Sequence, residues 1–139
     1  MKADFRLNGS NRRGFTLLEL MVVLVVVAIL VALAYPSYTQ YVREARRAEA
    51  QKLLMNWSVN QEIYRSNNSS YASTGDMAPP THEHFQFDTV GTPDASSYEL
   101  EAQATGDQLN DKESGQSCGQ LTVDQNGAKD PIDCWGGSS

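Results

Sequence analysis

The sequence predicts an α+β fold in which one long N-terminal α-helix packs on a small antiparallel β-sheet. Two observations predict the helix: an uninterrupted apolar run near the N-terminus and an amphipathic stretch that follows it. The sheet is predicted by three later segments in which apolar and polar side chains alternate. A length of 139 residues suits one modest domain in addition to the apolar segment.

The apolar run extends from Phe15 to Tyr35 and contains a single charged residue, Glu19. A helix of these 21 residues would be about 31 Å long, close to the thickness of the hydrocarbon core of a bilayer. The run is apolar on every side, which is typical of a membrane span, and we assign the span to residues 15–36. Basic residues precede it and acidic residues follow it, so we expect the N-terminus to stay in the cytoplasm.

A secretory signal peptide is the alternative interpretation of this N-terminus, because it also combines basic residues with an apolar core. An ordinary signal has a shorter core, and cleavage at Ala32 or Ala34 would remove the run. Gly14 offers a small residue before the core instead. Cleavage between Gly14 and Phe15 would remove only a leader, residues 1–14, and retain the span.

Glu19 needs a partner if it enters a membrane, since a carboxylate near the bilayer centre costs about 2.5–3.5 kcal/mol. Cleavage after Gly14 would create an α-amine at Phe15, one helical turn from Glu19. That amine, from the same chain or a neighbouring subunit, could neutralise the carboxylate and fix the axial register of packed helices. The alternative is an interfacial glutamate that reaches the headgroups and has no specific role.

The segment RRGFTLLELMVVLVVVAIL, residues 12–30, resembles the class III signal of type IV prepilins. The resemblance implies that a membrane-embedded prepilin peptidase cuts after Gly14 and methylates the amine of Phe15. It also implies that Glu19 acts in subunit assembly. Methylation leaves the amine chargeable, so the pairing argument holds for the modified chain.

Residues 37–66 are predicted to form an amphipathic second half of the same helix, with a kink at Pro36, which lacks the N–H that would bond to residue 32. We expect its apolar face to pack on the sheet. That face combines five regularly spaced residues, Ala45, Ala48, Met55, Val59 and Ile63, with Leu53, Leu54, Trp57 and Tyr64. The charged side is predicted to contain Arg43, Glu44, Arg46, Arg47 and Glu49.

Residues 67–139 are predicted to form a β-rich head. Phe85 and Phe87 alternate with polar residues in the first strand, and the second strand alternates from Tyr98 to Ala104. Leu121 and Val123 mark a third strand, and the following Gln-Asn-Gly, residues 125–127, predicts a hairpin turn because Asn and Gly tolerate positive φ. One apolar face per strand indicates an antiparallel sheet with one face packed on the helix.

Cys118 and Cys134 are the only cysteines of the chain. A disulfide between them would stabilise the head by about 3 kcal/mol and would need an oxidising compartment such as the periplasm. Two free thiols or half of a metal site are the alternatives, but no further ligand lies nearby at zinc-like spacing.

The head segments SYELEAQATG and CGQLTVDQNGAKD, with the final DCW, are similar to those of PilE-type minor pilins. This resemblance implies a type IV pilin fold, in which a Cys118–Cys134 disulfide closes the C-terminal loop. It also implies that the chain is a structural subunit of a pilus.

No catalytic set, cofactor site or metal site is predicted. His82 and His84 lack further ligands and fit a solvated loop, and the acidic residues 124–133 depart from the EF-hand pattern. Residues 67–139 carry a formal charge of −10, which argues against nucleic acid as a partner. The basic residues Arg43, Arg46, Arg47 and Lys52 all lie on the helix.

The sequence therefore predicts a minor pilin that moves from the bacterial inner membrane, which it crosses once, to a pilus on the cell surface. Its expected partners are other pilin subunits, bound through the N-terminal helix, the prepilin peptidase and the inner-membrane assembly machinery. Adhesion, twitching motility or DNA uptake would follow from such a pilus. Two alternatives remain: a type II secretion pseudopilin, and a competence pilin whose head binds DNA.

Overall fold

The fold begins with one long helix, α1, which extends from Leu17 to Asn67 in the computed structural model, where residues 14–136 are described. It ends at Asn67, where the side-chain amides of Asn67 and Asn68 donate to the carbonyls of Ile63 and Tyr64. Pro36 lies inside the helix. The predicted kink at this position stays a prediction.

The chain divides into two compact units, with the boundary between Ser37 and Tyr38. In the N-terminal unit, every described residue is exposed. α1 is the one helix among the described residues that is long and apolar enough to cross a membrane, with a mean hydropathy of 3.1 over its most apolar window.

The C-terminal unit contains a four-stranded antiparallel sheet with strand order β1-β2-β5-β6. The strands are β1 (Phe85–Thr89), β2 (Glu99–Ala104), β5 (Gln120–Asp124) and β6 (Lys129–Asp130). A separate two-stranded ribbon pairs β3 (Lys112–Glu113) with β4 (Gln116–Ser117). Short 3-10 helices cover Gly106–Asn110 and Ile132–Trp135.

The core of the C-terminal unit lies between α1 and one face of this sheet. The register aligns Phe87 with Ala102 and Ala102 with Leu121, so the apolar side chains of three strands share the face towards the helix. The predicted alternation is confirmed in all three strands, whose inward residues are buried. The core residues of α1 are Ala50, Leu54 and Trp57, and those of the strands include Phe85, Leu100, Leu121 and Val123.

The predicted core face of α1 is confirmed at Leu54 and Trp57, which lie in the core, and is wrong for the regularly spaced stripe. The five regularly spaced apolar residues Ala45, Ala48, Met55, Val59 and Ile63 are exposed, and Ile63 retains 59% of its accessible surface. At 3.6 residues per turn this stripe lies on roughly the opposite side of the helix from the face that is buried. The buried face contains Arg47, Ala50, Leu54, Trp57 and Gln61.

Two polar residues lie on the buried face because the head satisfies their hydrogen bonds. The amide of Gln61 both donates to the carbonyl of Ala72 (2.9 Å) and accepts from its N–H (2.8 Å). Arg47, predicted to lie on the charged outer side, is 4% exposed and forms two ion pairs. The spacing of apolar residues alone could not show which face of α1 is buried, this one or the exposed stripe from Ala45 to Ile63, which we call the outward stripe.

The predicted hairpin is present between β5 and β6, with one difference at its turn. Gly127 has a φ of +75°, whereas Asn126 does not adopt positive φ. The Asp124 carboxylate accepts from the N–H groups of Asn126 and Ala128, both at 2.8 Å, and so fixes the turn.

Leu54→Ala and Val59→Ala form a matched test of which side of α1 is buried. Leu54 is fully buried and Val59 is 56% exposed. We expect Leu54→Ala to lower the free energy of unfolding by about 2–5 kcal/mol, because it leaves a cavity against the sheet. Val59→Ala should change it by about 0.5 kcal/mol or less.

The measurement is urea unfolding of the full chain in detergent, followed by the fluorescence of Trp57 in the core. A larger loss of stability for Val59→Ala than for Leu54→Ala would contradict the buried face described above.

Candidate functional site

The first turn of α1 contains the residues predicted for processing and assembly. Gly14 has no heavy atom within 4 Å of the position that a Cβ would take, and Phe15 is 79% exposed. In the uncleaved chain the nitrogen of Phe15 belongs to the Gly14–Phe15 peptide bond. Gly14 and Phe15 are therefore exposed, and their role in cleavage stays a prediction.

Thr16 caps the helix, which the sequence analysis missed. Its Oγ1 accepts a hydrogen bond from the N–H of Glu19 at 3.1 Å, and its carbonyl accepts from the N–H of Leu20. Thr-x-x-Glu is the capping-box pattern, so the signal was present in the sequence. The bond uses the backbone of Glu19, and the carboxylate lies near the positive end of the helix dipole.

Four polar residues of α1 in the C-terminal unit, Gln40, Arg43, Arg47 and Gln51, bind the region around the disulfide; we call them the polar clamp. The amide of Gln40 donates to the carbonyl of Lys112 at 2.8 Å. Arg43 forms a two-pronged ion pair with Asp107, at 2.9 and 3.1 Å. Gln51 donates to the carbonyl of Cys134 at 2.6 Å.

Arg47 is the most buried member of the polar clamp. Its guanidinium binds Asp111 at 3.2 Å and Glu113 at 2.6 Å, and it approaches the Sγ of Cys118 to 3.0 Å. Asp111 is fully buried, and burial raises its pKa from the ordinary value, although the neighbouring Arg47 acts in the opposite direction. The exposed Asp107 behaves differently, because its hydrogen bond with Arg43 lowers its pKa.

The disulfide between Cys118 and Cys134 is present, as predicted, with a Cα–Cα distance of 5.6 Å. Both cysteines are buried in the core cluster. The disulfide links the segment between β4 and β5 to the second 3-10 helix, and the polar clamp holds the same region to α1.

His82 makes contacts that fix its position. Its Nε2 lies 3.1 Å from a carboxylate oxygen of Glu49, and its Nδ1 accepts a hydrogen bond from the N–H of His84. Both ring nitrogens thus have protein partners. Within residues 14–136, no three His, Cys, Asp or Glu side chains are grouped so that they could hold a metal ion.

The outer face of the main sheet carries Asp88, Glu99, Glu101, Asp124 and Asp130. Asp88 pairs directly with Glu101 across the strands, and Glu99 pairs with Asp124. Serine N–H groups lower the pKa of another exposed acid, Asp94, to about 2, so it is ionised at neutral pH. This surface would repel a polyanion.

The buried carboxylate of Asp111 gives a pH-dependent prediction. Its folded pKa is raised above the ordinary value of 3.8, so in the window just above that value the native state holds a proton that the unfolded state has released. The free energy of unfolding therefore falls as the pH rises through the window, by up to about 1.4 kcal/mol per pH unit. Asp111→Asn should remove this fall.

Urea unfolding of the wild type and of Asp111→Asn, at pH values from about 4 to about 7, measures the difference. Asp107→Asn is the control: its lowered pKa confers stability that is lost only as the pH falls below the window, so its profile within the window should match that of the wild type. If the difference between wild type and Asp111→Asn has the opposite slope, the ion pair outweighs burial.

Comparison with known proteins identifies both parts of the chain. A family model described as type IV minor pilin ComP, DNA uptake sequence receptor, matches residues 36–122, and a model of the prokaryotic N-terminal methylation motif matches residues 9–35. No curated protein matches the chain.

Two solved pilin structures are similar to this chain. A type IV pilin from Shewanella oneidensis is 27% identical, over 67% of this chain and 97% of that chain, with a TM-score of 0.55. The non-core minor pilin PilV of Neisseria meningitidis is 17% identical, over 65% and 86%, with a TM-score of 0.49. The ComP family model matches more than half of the residues of this chain. The chain therefore belongs to the type IV minor pilin family and is a structural subunit of a pilus.

Proposed function

We propose that the chain is made as a prepilin, anchored in the inner membrane with its N-terminus in the cytoplasm, and assembled into a surface pilus through its N-terminal helix. The observation that carries the proposal is the first turn of α1, where an exposed carboxylate, Glu19, precedes 23 residues without a charge, from Leu20 to Val42. The match of the methylation motif to residues 9–35 supports the same reading of the N-terminus.

In this proposal the chain has four parts. The prepilin peptidase removes the leader, residues 1–14, between Gly14 and Phe15, and the new amine is methylated. Residues 15–36 span the membrane and later pack among other pilin helices. Residues 37–66 join this span to the head, residues 67–139, which lies outside the membrane. The inner-membrane assembly machinery moves the subunit from the bilayer into the filament.

Glu19 pairs with the methylated amine of Phe15 in the assembled state. Phe15 lies two residues before the first residue of α1, so its amine is close to Glu19 along the chain, and in the proposal it pairs with the carboxylate of the same chain or of a neighbour. The cost of placing an acid in lipid, about 2.5–3.5 kcal/mol, is then offset by an opposite charge. The backbone bond to Thr16 holds the start of the helix, and so the position of Glu19, in place.

The outward stripe of α1 supports packing against other subunits. Met55, Val59 and Ile63 lie on a face that the head leaves uncovered, and Ile63 remains more than half exposed. Exposed apolar side chains at helical spacing are typical of helix–helix contacts. A filament that surrounds the helix with others would bury this surface.

A type II secretion pseudopilin is the alternative use of the same N-terminus. The matched family model is that of a pilin, and the disulfide-closed loop of the head points in the same direction. A deletion strain separates the two machines. Loss of surface fibres supports the pilus, whereas loss of exported enzymes with intact fibres supports secretion.

We propose duplex DNA binding as a second function, because the matched family model is described as a DNA uptake sequence receptor. The charge of the head restricts how this could occur. Residues 38–136 contain seven basic and fifteen acidic residues. Arg43 and Arg47 are bound by carboxylates, which leaves five cations without an ion pair among the described residues: Arg46, Lys52, Arg65, Lys112 and Lys129.

Filament-borne chains test the processing and the role of Glu19 together. We expect purified filaments to contain this subunit with an N-terminal Phe15, one added methyl group and two hydrogens missing from the sulfur pair, as intact mass spectrometry will show. Glu19→Gln should be processed normally but should be incorporated at a small fraction of the wild-type level, because the amine then lacks its opposite charge.

Thr16→Ser is the matched control, since serine preserves the helix cap and leaves Glu19 in place. Wild-type incorporation of Glu19→Gln would contradict the charge-pairing proposal. A start at any residue other than Phe15 would contradict the assigned cleavage site.

The salt dependence of DNA binding tests the second function. Five available cations can displace at most five counterions, so log K should fall with log salt with a slope no steeper than about −4.5. Fluorescence anisotropy of a labelled duplex with the full processed chain in detergent measures the slope. Lys112→Ala combined with Lys129→Ala should reduce its magnitude by up to about 2.

A slope steeper than about −4.5, towards the roughly −6.3 that all seven basic residues would give, would contradict this set of contacts, because the clamp arginines would have to leave their carboxylates. No binding at low salt would eliminate the DNA function and leave the pilus function intact.

A further inference from the structure

Where α1 enters the C-terminal unit, a polar side chain faces the head and two aromatic side chains face outwards, the opposite of what is usual for a helix in water. The polar Gln40 is directed into the head, where its amide donates to the carbonyl of Lys112 at 2.8 Å and to the carboxylate of Asp111 at 3.4 Å. The aromatic Tyr38 and Tyr41 point away from the head and are 67% and 71% exposed. In water, a segment of this kind would place the aromatic rings inside and the amide outside.

The sequence around these tyrosines indicates what surrounds them. They follow the apolar run directly and lie before the first charged residue beyond it, Arg43, whose guanidinium is bound to Asp107. Tyrosine is enriched where the hydrocarbon of a bilayer meets its headgroups, because its ring is apolar and its hydroxyl is polar. The two tyrosines are separated along the helix by about 4.5 Å, which fits within one headgroup layer.

We propose that Tyr38 and Tyr41 form a lipid-binding surface that sits in the headgroup layer, on the outer side of the inner membrane, before the subunit enters a filament. This inference rests on the proposed membrane span of residues 15–36. The rings set the depth of the span, while Gln40 keeps the same turns attached to the head. A lipid surface satisfies both parts of the tyrosine side chain, which an apolar helix face alone would not.

The continuity of these residues with the apolar run favours lipid over another protein as the occupant. A second pilin subunit could also cover exposed tyrosines, and this would occur only where chains are crowded. Lipid would cover them in a single isolated chain. The density of chains in the membrane therefore distinguishes the two occupants.

The experiment uses the full chain with 3-fluorotyrosine in place of tyrosine, reconstituted at about one chain per vesicle in phosphatidylethanolamine and phosphatidylglycerol. Fluorine NMR lines are broadened by oxygen, which concentrates in lipid, or by a nickel chelate, which stays in water. Tyr38→Phe and Tyr41→Phe assign the two signals. Val59→Tyr supplies a matched control, because position 59 is an exposed site of the same helix further along the head.

We expect the chelate to broaden the signals of positions 38 and 41 several-fold less than that of position 59, and oxygen to broaden them more. Equal chelate broadening at all three positions, in vesicles that carry the chain on flotation, would overturn this inference and leave the proposed span intact. Protection that appears only at high chain density would assign the surface to a second subunit and overturn it. A chain that does not float with the vesicles would overturn both proposals.

Discussion

The contacts of Arg47 hold the region around the Cys118–Cys134 disulfide against α1, and the position of that region depends on them. Its guanidinium touches Asp111, Glu113 and the Sγ of Cys118, and so connects α1 to the β3–β4 ribbon and to the disulfide. Removing one partner of a buried ion pair costs about 3–5 kcal/mol, because the other charge is left buried without compensation. The disulfide restricts how far Cys118 and Cys134 can separate, but it cannot hold either of them against the helix. The polar clamp supplies that second constraint.

The polar clamp makes the face of α1 towards the head partly polar, whereas the opposite face mixes apolar residues with charged ones such as Lys52. The face towards the head contains Gln40, Arg47 and Gln61 among its partners, whereas the opposite face exposes Val59 and Ile63. The head is therefore held to α1 by polar bonds as well as by its core.

The sequence was sufficient to predict the three longer strands of the sheet, because successive side chains of a strand point to opposite faces and apolar residues therefore alternate with polar ones. Phe85 and Phe87, and likewise Leu121 and Val123, face inwards as their spacing indicates. The same reasoning succeeded only in part for α1, where Leu54 and Trp57 are buried but the regularly spaced stripe is exposed. The helix carries apolar residues on two faces, and periodicity does not say which one the sheet covers. Arg47 could be placed only from its partners, which lie more than sixty residues away. The two-residue strands and 3-10 helices are too short to produce a period.

The N-terminal site was predictable as a pattern, but the pattern supports two roles for Glu19 that the structure helps to separate. Capping by Thr16 requires only the backbone N–H of residue 19, which any residue other than proline would supply. The cap therefore does not explain why residue 19 is acidic. Among residues 14–136, the carboxylate of Glu19 has no hydrogen bond or ion pair. An acid at this place without a partner among the described residues fits a partner that arises later, and the amine that the proposed cleavage would create at Phe15 is such a partner.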